Sequence, residues 1–289
     1  MSKRVPLRAP GKREITLAAP LPNASTRVWY AGEMKKAIAN MSASYLHGVR
    51  IAYERAHAAA ERADIIVAAQ DASIEQRAQA RANKLFDELQ ALRSYWQKYF
   101  DKLAERIAPE ATALWEMDAT RTWRGRLDAA GFTVKFNMTP AQRIVMEAKT
   151  RENVALIKSI PAQYHTEVEG TVLRGFTRGR DLNGITEELQ KRHSITQRRA
   201  AFIARDQANK ATSAFNATRQ DELGITEGIW QHSSAGKEPR PEHVKAGRER
   251  MRFDLRKGHD FGDGFGPVLP GEAINCRCTW RAVIPLLDD

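Results

Sequence analysis

The sequence predicts a mainly α-helical protein: an elongated helical body followed by a small C-terminal α+β domain with short strands and a Cys-x-Cys motif. Two observations support this. Apolar side chains recur at alternating spacings of three and four residues through most of the chain, which is typical of helices. After Gly224 the pattern changes to short β-rich segments between glycine-rich loops. With 289 residues, of which 42% are apolar, the chain is long enough to bury a sizeable core.

The first predicted region, residues 1–27, is a basic extended arm. It carries six basic side chains against the single acid Glu14, and its four prolines disfavour a long helix. Such an arm could lie along DNA phosphates, cover a neighbouring subunit, or be a tail without a role. The basic side chains that we consider as DNA-binding candidates are Lys3, Arg4, Arg8, Lys12 and Arg13.

The second region, residues 28–130, is predicted to contain two long helices that pack on each other. Each has an apolar stripe at helical spacing. The first stripe consists of Met34, Ile38, Met41, Tyr45, Val49, Ala52 and Ala56, and the second of Leu85, Leu89, Leu92, Trp96, Phe100, Leu103 and Ile107. Aromatic residues in such stripes are expected to lie in the core.

The third region, residues 131–224, is predicted to be helical after a short β-rich segment, "GFTVKF". Threonine, proline and glutamine at 139, 140 and 142 are typical of a helix start, and Ser194 to Gln197 repeats the capping pattern. Gly224 is a natural helix stop. We therefore expect helices at about 140–158, 161–178 and 183–193, and a last one from the second cap to Gly224.

Adjacent charges at Arg205 and Asp206 lie in the apolar context "AAFIA". They are expected to be partly buried and to form internal ion pairs. The preceding segment, "ITEELQKRHSITQRRAAFIARDQ", also permits a helix-turn-helix that reads duplex DNA, although no motif marks a recognition helix. A helical hairpin with a solvated basic face is the preferred interpretation.

The fourth region, residues 225–289, is predicted to be a small β-containing domain with strands in "ITEGIW", "RMRFD" and "CTWRAVIP". It holds both cysteines of the chain, Cys276 and Cys278. We expect their side chains to point to opposite faces and to form no disulfide, which needs Cβ atoms within about 4 Å. A structural clasp made of two small buried thiols is favoured over a zinc site with His243, because the spacing lacks a second Cys or His knuckle.

An enzymatic interpretation remains open in the same region. The loop "GHDFGDGFGP" brings His259 and Asp263 together, and with His243 and the cysteine pair they could serve a metal-dependent nuclease or toxin-like enzyme. Such sites generally need more carboxylates, and aspartate in a glycine-rich turn commonly bonds its own backbone. We therefore expect no catalytic residue and no cofactor.

The charge of the chain favours a polyanionic partner. Lys and Arg exceed Asp and Glu by 46 − 35 = 11, which suits nucleic acid without implying sequence specificity. No apolar stretch approaches the roughly 18 residues of a membrane span, and the N-terminal segment lacks the apolar run of a signal peptide. We expect synthesis in a reducing cytoplasm and no membrane partner.

Three stretches in fixed order resemble a known family. They are "RDLNGITEELQKRHSITQRRAAFIARDQANKATSAFNATRQDELGI", "GKEPRPEHVKAG" and "LPGEAINCRC". They are similar to the F-like minor head protein family of Mu-type tailed phages, also called phage head morphogenesis proteins. The start of the long-helix region, "PNASTRVWYAGEMKKAI", is similar to that of many members.

This resemblance implies a structural protein of the virion, made in the host cytoplasm, that lies inside the head near the portal vertex and acts in head morphogenesis. The implied partners are the portal protein and packaged double-stranded DNA, bound without sequence specificity, with the major capsid or scaffolding protein as further candidates. The family motif falls on Arg205, Asp206, His243, Asn275, Cys276, Arg277 and Cys278. Many relatives have a further Cys-x-x-Cys or histidine shortly before the Cys-x-Cys stretch, which this chain lacks, and that difference also favours the clasp.

Overall fold

The computed structural model describes residues 14–66, 74–177, 182–235, 237–262, 264 and 266–285. These residues form five helices and six strands in the order β1, α1–α4, β2, α5, β3–β6. The helices are α1 (Ala24–Ile66), α2 (Ile74–Ala129), α3 (Pro140–Thr177), α4 (Leu182–Glu222) and α5 (Pro241–Arg248). The strands are β1 (Glu14–Ala18), β2 (Glu227–Gln231), β3 (Arg252–Asp254), β4 (His259–Asp260), β5 (Pro267–Val268) and β6 (Thr279–Pro285).

The predicted fold class is confirmed: the described chain is mainly helical, with short antiparallel strands near its C-terminal end. The three strands expected after Gly224 are present as β2, β3 and β6. Gly224 itself follows the end of α4 with a φ of +71°, a left-handed conformation in which glycine carries no steric penalty.

The helices are fewer and longer than predicted, because two expected helix starts lie inside continuous helices. Pro161 lies inside α3. Ser194 and Thr196 lie inside α4, where their hydroxyl groups donate hydrogen bonds to the carbonyls of Gln190 and Arg192, one turn earlier. A serine or threonine can thus bond within a helix instead of capping one. The helix-turn-helix interpretation and the preferred helical hairpin are both wrong, because α4 runs without a break through the proposed turn.

The Thr139 cap is confirmed, since its hydroxyl oxygen accepts a hydrogen bond from the Gln142 N–H at 3.2 Å. Helix α1 starts at a cap that was not predicted, where the Asn23 side chain accepts bonds from the N–H groups of Ser25 and Thr26. The "GFTVKF" segment is not a strand. Its alternate apolar side chains, among them Phe132 and Phe136, instead pack at the edge of a core.

Four strands form one antiparallel sheet in the order β1–β6–β2–β3, and β4 pairs with β5 in a separate hairpin. In the main sheet Glu14 pairs with Pro285, and Trp230 of β2 pairs with Trp280 of β6. Strand β1 lies within the predicted arm, so the end of that region is a paired strand followed by the first turn of α1. The DNA-binding candidates Lys3, Arg4, Arg8, Lys12 and Arg13 lie outside the described residues.

The chain divides into two compact units, each built from separate segments. The first combines the described residues up to Tyr30 with Ala108–Asn153 and the part from Phe202 onward. Its core contains Trp123, Trp230 and Trp280, together with both cysteines. The division into four consecutive regions remains a prediction.

The second unit combines Ala31–Ile107 with Val154–Ala201. Most described residues of the two predicted apolar stripes are buried in it, including Trp96 and Phe100 as expected. The Trp96 indole donates a hydrogen bond to Ser44 at 2.6 Å, so the two long helices do contact each other. No helix of the described chain is both long and apolar enough to span a membrane.

Candidate functional site

One face of α4 is lined with polar side chains that hold the segment before β6. Polar residues at 206, 209, 213, 216 and 220 follow the spacing of three and four that places side chains on one helix face. The Asn209 amide donates to the carbonyl of Cys276, and the Ser213 hydroxyl donates to the carbonyl of Pro270. The Gln220 side-chain oxygen accepts from the Trp280 indole at 2.8 Å. The segment 270–278, here called the cysteine loop, is therefore fixed against α4.

Asn275 forms the turn of the cysteine loop, with a φ of +59°. Its N–H donates a hydrogen bond of 2.6 Å to Asp206, whose carboxylate also forms a 3.0 Å ion pair with Lys210. Its side-chain oxygen accepts a bond from Arg205. The predicted adjacent charges are thus both partnered, and both contact the turn.

The cysteine loop brings Cys276 and Cys278 beside His243 of α5. The Nδ1 atom of His243 lies 3.5 Å from the sulfur of Cys276 and 3.7 Å from that of Cys278. All three side chains are buried, with exposed fractions of 2%, 4% and 6% for His243, Cys276 and Cys278. We call these residues the cysteine–histidine cluster.

The expectation that the two thiols point to opposite faces is wrong. Residues two apart in an extended chain share a face, and the ligand atoms of the cluster all lie within 4.8 Å of one another. The cysteines are nevertheless free thiols, as predicted. They also pack in the core of the first unit, as a clasp requires.

The environment shifts the pKa values of the two thiols in opposite directions. A hydrogen bond from the Cys278 thiol lowers the pKa of Cys276 to about 4; burial opposes this shift, while bonds from His243 and from the Gly271 N–H support it. The pKa of Cys278 is raised, because its thiol donates to the neighbouring sulfur and is itself desolvated. Cys276 is therefore the more acidic of the two thiols.

Aromatic rings fix the imidazole of His243. Its ring centroid lies 5.0 Å from that of Trp230 and 4.6 Å from that of Phe261. Its Nε2 atom is buried without a hydrogen-bond partner among the described residues. His259, the other histidine of the enzymatic interpretation, packs on Phe261 instead of joining the cluster. Asp263 lies outside the described residues.

The cluster borders a cleft of about 770 Å³. Among the described residues, four cationic side chains line it against one acid, Glu238, and we call it the basic cleft. The cations are Arg205, Lys237, Arg240 and Arg277. A concave surface of one sign concentrates oppositely charged ligands, so this cleft suits anions.

Arg277 and Asp206, both residues of the family motif, have different partners. The guanidinium of Arg277 donates to the carbonyl of Ala235, while Asp206 accepts a bond from the Asn275 N–H and pairs with Lys210. Lys237 and Arg240 were not singled out from the sequence. Both residues lie close to His243 in the stretch "GKEPRPEH", and this proximity in the sequence could have indicated them as site residues.

Comparison with known proteins supports the resemblance read from the sequence. The model of the family described as Phage Mu protein F like protein matches residues 166–281. An uncharacterized protein of Haemophilus influenzae is 32% identical over 144 residues, which is 50% of this chain. The chain covers only 30% of that relative's length. No solved structure matches the chain.

The matched range contains α4, the basic cleft and the complete cysteine–histidine cluster. The resemblance to the Mu F-like family of phage proteins is therefore confirmed for residues 166–281, the part of the chain that forms the candidate site.

Proposed function

We propose that this chain is a minor head protein of a tailed phage, which lies near the portal vertex inside the head, acts in head morphogenesis and contacts packaged DNA. The observation that carries the proposal is the match of residues 166–281 to the Mu F-like family. That match indicates a protein related to phage heads. Association with the portal protein, contact with DNA and the position in the virion go further than this match, and we propose them.

Contact with DNA is supported by the distribution of charge. The chain has a net charge of +11, and the basic cleft gathers four cations in one concave surface. Phosphate neutralisation by Lys and Arg supplies most sequence-independent affinity for DNA and makes it sensitive to salt. Binding should therefore be indifferent to sequence.

The proposed test measures duplex affinity against salt concentration. If the N-terminal basic residues and the cleft together neutralise about five phosphates, the log–log slope should be roughly −4 to −5. Removing residues 2–13 should flatten the slope while leaving strand β1 intact. Replacing Arg205 and Lys237 by Ala should flatten it further, whereas Ala at the exposed helix residues Arg50 and Arg151 should not. Absence of binding at low salt would refute the contact with DNA.

Association with the portal needs a separate test. After co-expression with the cognate portal protein, we expect a complex that survives nuclease treatment and moderate salt, because protein interfaces depend on a few desolvated residues more than on exposed charge. Release of the chain by nuclease alone would show that DNA bridges the two proteins. That result would contradict the portal role.

The enzymatic alternative is a metal-dependent nuclease or toxin-like domain. The cysteine–histidine cluster favours it only in part, since the cluster that the described residues form contains soft donors and no carboxylate. Mg²⁺ prefers oxygen ligands. Incubation of plasmid with the purified protein and divalent ions should leave the DNA intact. Cleavage that is lost in a His243→Ala variant would establish the enzyme instead.

A further inference from the structure

The cysteine–histidine cluster has the donors and the dimensions of a zinc site. Thiolate and imidazole are the ligands that Zn²⁺ takes most often in proteins, with Zn–S near 2.3 Å and Zn–N near 2.0–2.1 Å. At tetrahedral angles these bond lengths separate sulfur and nitrogen by about 3.6 Å. The two observed separations from His243 Nδ1 are 3.5 and 3.7 Å.

A single directed hydrogen bond does not account for both contacts. A ring nitrogen carries either one proton or one lone pair, so Nδ1 can form one directed hydrogen bond. It nevertheless lies almost equally far from two sulfur atoms. A single ion between the three atoms would satisfy all of them at once.

The surrounding structure holds the three side chains in this arrangement. Trp230 and Phe261 fix the imidazole plane, and Asn209 holds the carbonyl of Cys276. The Gly271 N–H points at the Cys276 sulfur from 3.4 Å, and such outer bonds commonly orient a metal ligand. A site of this kind is formed before the ion arrives.

We propose that His243, Cys276 and Cys278 bind one zinc ion through Nδ1 and the two Sγ atoms, with the fourth coordination position facing the basic cleft. All three residues line that cleft. Among the described residues the cluster has no fourth His, Cys, Asp or Glu. The fourth ligand is therefore water or an anionic oxygen, which the cations of the cleft attract. The clasp expected from the sequence is then a metal-bound clasp.

The test measures the metal content of the full chain purified under reducing conditions without added metal. We expect about one zinc per chain, lost in Cys276→Ser, Cys278→Ser and His243→Gln variants. His232→Gln is the matched control, because His232 lines the same cleft outside the cluster, and it should retain its zinc. Chelator should lower the melting temperature of the wild type and leave that of the Cys278→Ser variant unchanged.

A second measurement does not depend on whether the variants fold. Addition of Co²⁺ to the metal-free wild type should produce the near-ultraviolet charge-transfer absorption of cobalt–thiolate bonds, saturating near one equivalent. The proposal is overturned if zinc-supplemented wild type holds less than about a tenth of an equivalent. It is equally overturned if Co²⁺ binds without a cobalt–thiolate absorption band. A Cys276–Cys278 disulfide in protein purified under reducing conditions would overturn it as well.

Discussion

The carboxylate of Asp206 accepts a hydrogen bond of 2.6 Å from the backbone N–H of Asn275, a residue held at a φ of +59°. A left-handed conformation is uncommon for a residue with a side chain, although asparagine tolerates it better than most. The contact therefore connects a buried charge on α4 to the turn that presents both cysteines and Arg277.

Asp206→Ala should loosen the cysteine loop. A hydrogen bond to a charged group contributes about 1.5–3 kcal/mol, and the change also leaves Lys210 without this partner. We expect faster amide hydrogen exchange in residues 270–278 and a lower urea midpoint. Glu147→Ala, which removes an exposed ion pair with Arg151, is the control and should change neither. Unchanged exchange in the loop would show that the other α4 contacts suffice to hold it.

Arg219 and Glu116 form a buried ion pair of 2.7 Å in the first unit. Arg219→Ala should lower stability by about 3–5 kcal/mol, because Glu116 would keep an uncompensated buried charge. The double variant Arg219→Met with Glu116→Leu should lose less than the single variant, since it removes both charges. Urea unfolding followed by tryptophan fluorescence measures both. A double variant less stable than Arg219→Ala would contradict this account.

Gly247 of α5 is required by close packing. A Cβ atom at this position would lie 2.5 Å from the Cβ of His232 and 2.7 Å from its backbone nitrogen, so the backbone itself would have to move. We expect Gly247→Ala to destabilise the protein by about 1–3 kcal/mol. Gly125 of α2 has open space around the same position, so Gly125→Ala should raise stability by about 0.5–1 kcal/mol. Similar melting temperatures for the two variants would refute the steric argument.

His165 in the second unit should make stability depend on pH. Burial lowers its pKa, while nearby Glu169 raises it and Arg93 lowers it; its Nδ1 lies 3.0 Å from the hydroxyl of Tyr45. Because His165 resists protonation in the folded state, its neutral form contributes to the free energy of unfolding. This contribution is complete above the unfolded pKa of about 6.5 and is lost as the pH falls below that value. His165→Gln should reduce the loss of stability between about pH 7 and 5. The exposed His47→Gln should leave that loss unchanged, and an equal effect of both would contradict the assignment.

The sequence predicted the long helices well because their stripes satisfy one periodic rule over many turns. Helix boundaries were less predictable: Ser194 and Thr196 carry a capping pattern, but each hydroxyl bonds a carbonyl within the same helix. Local sequence does not distinguish these two uses of a hydroxyl.

The candidate site was predictable in part. Cys276, Cys278 and His243 stood out by residue type, whereas their contact depends on how α5 and the cysteine loop pack against β2 and α4. Thirty-three residues separate His243 from Cys276, and no periodicity spans that distance. The polar face of α4 could have been predicted from Asp206, Asn209 and Ser213, which are spaced three and four residues apart and so lie on one helix face. Polar side chains on a buried helix face need hydrogen-bond partners.

The pairing of β1 with β6 has a consequence for the order of folding. Glu14 and Pro285, which are partners in the register, lie 271 residues apart along the chain. Contacts so distant in sequence form late, because the intervening chain must lose its freedom before they yield any stabilisation, while helices form from neighbours within microseconds. The pairing of β1 with β6 should therefore form last. Until it does, β6 presents an unpaired edge to other chains, which makes the incompletely folded protein prone to self-association.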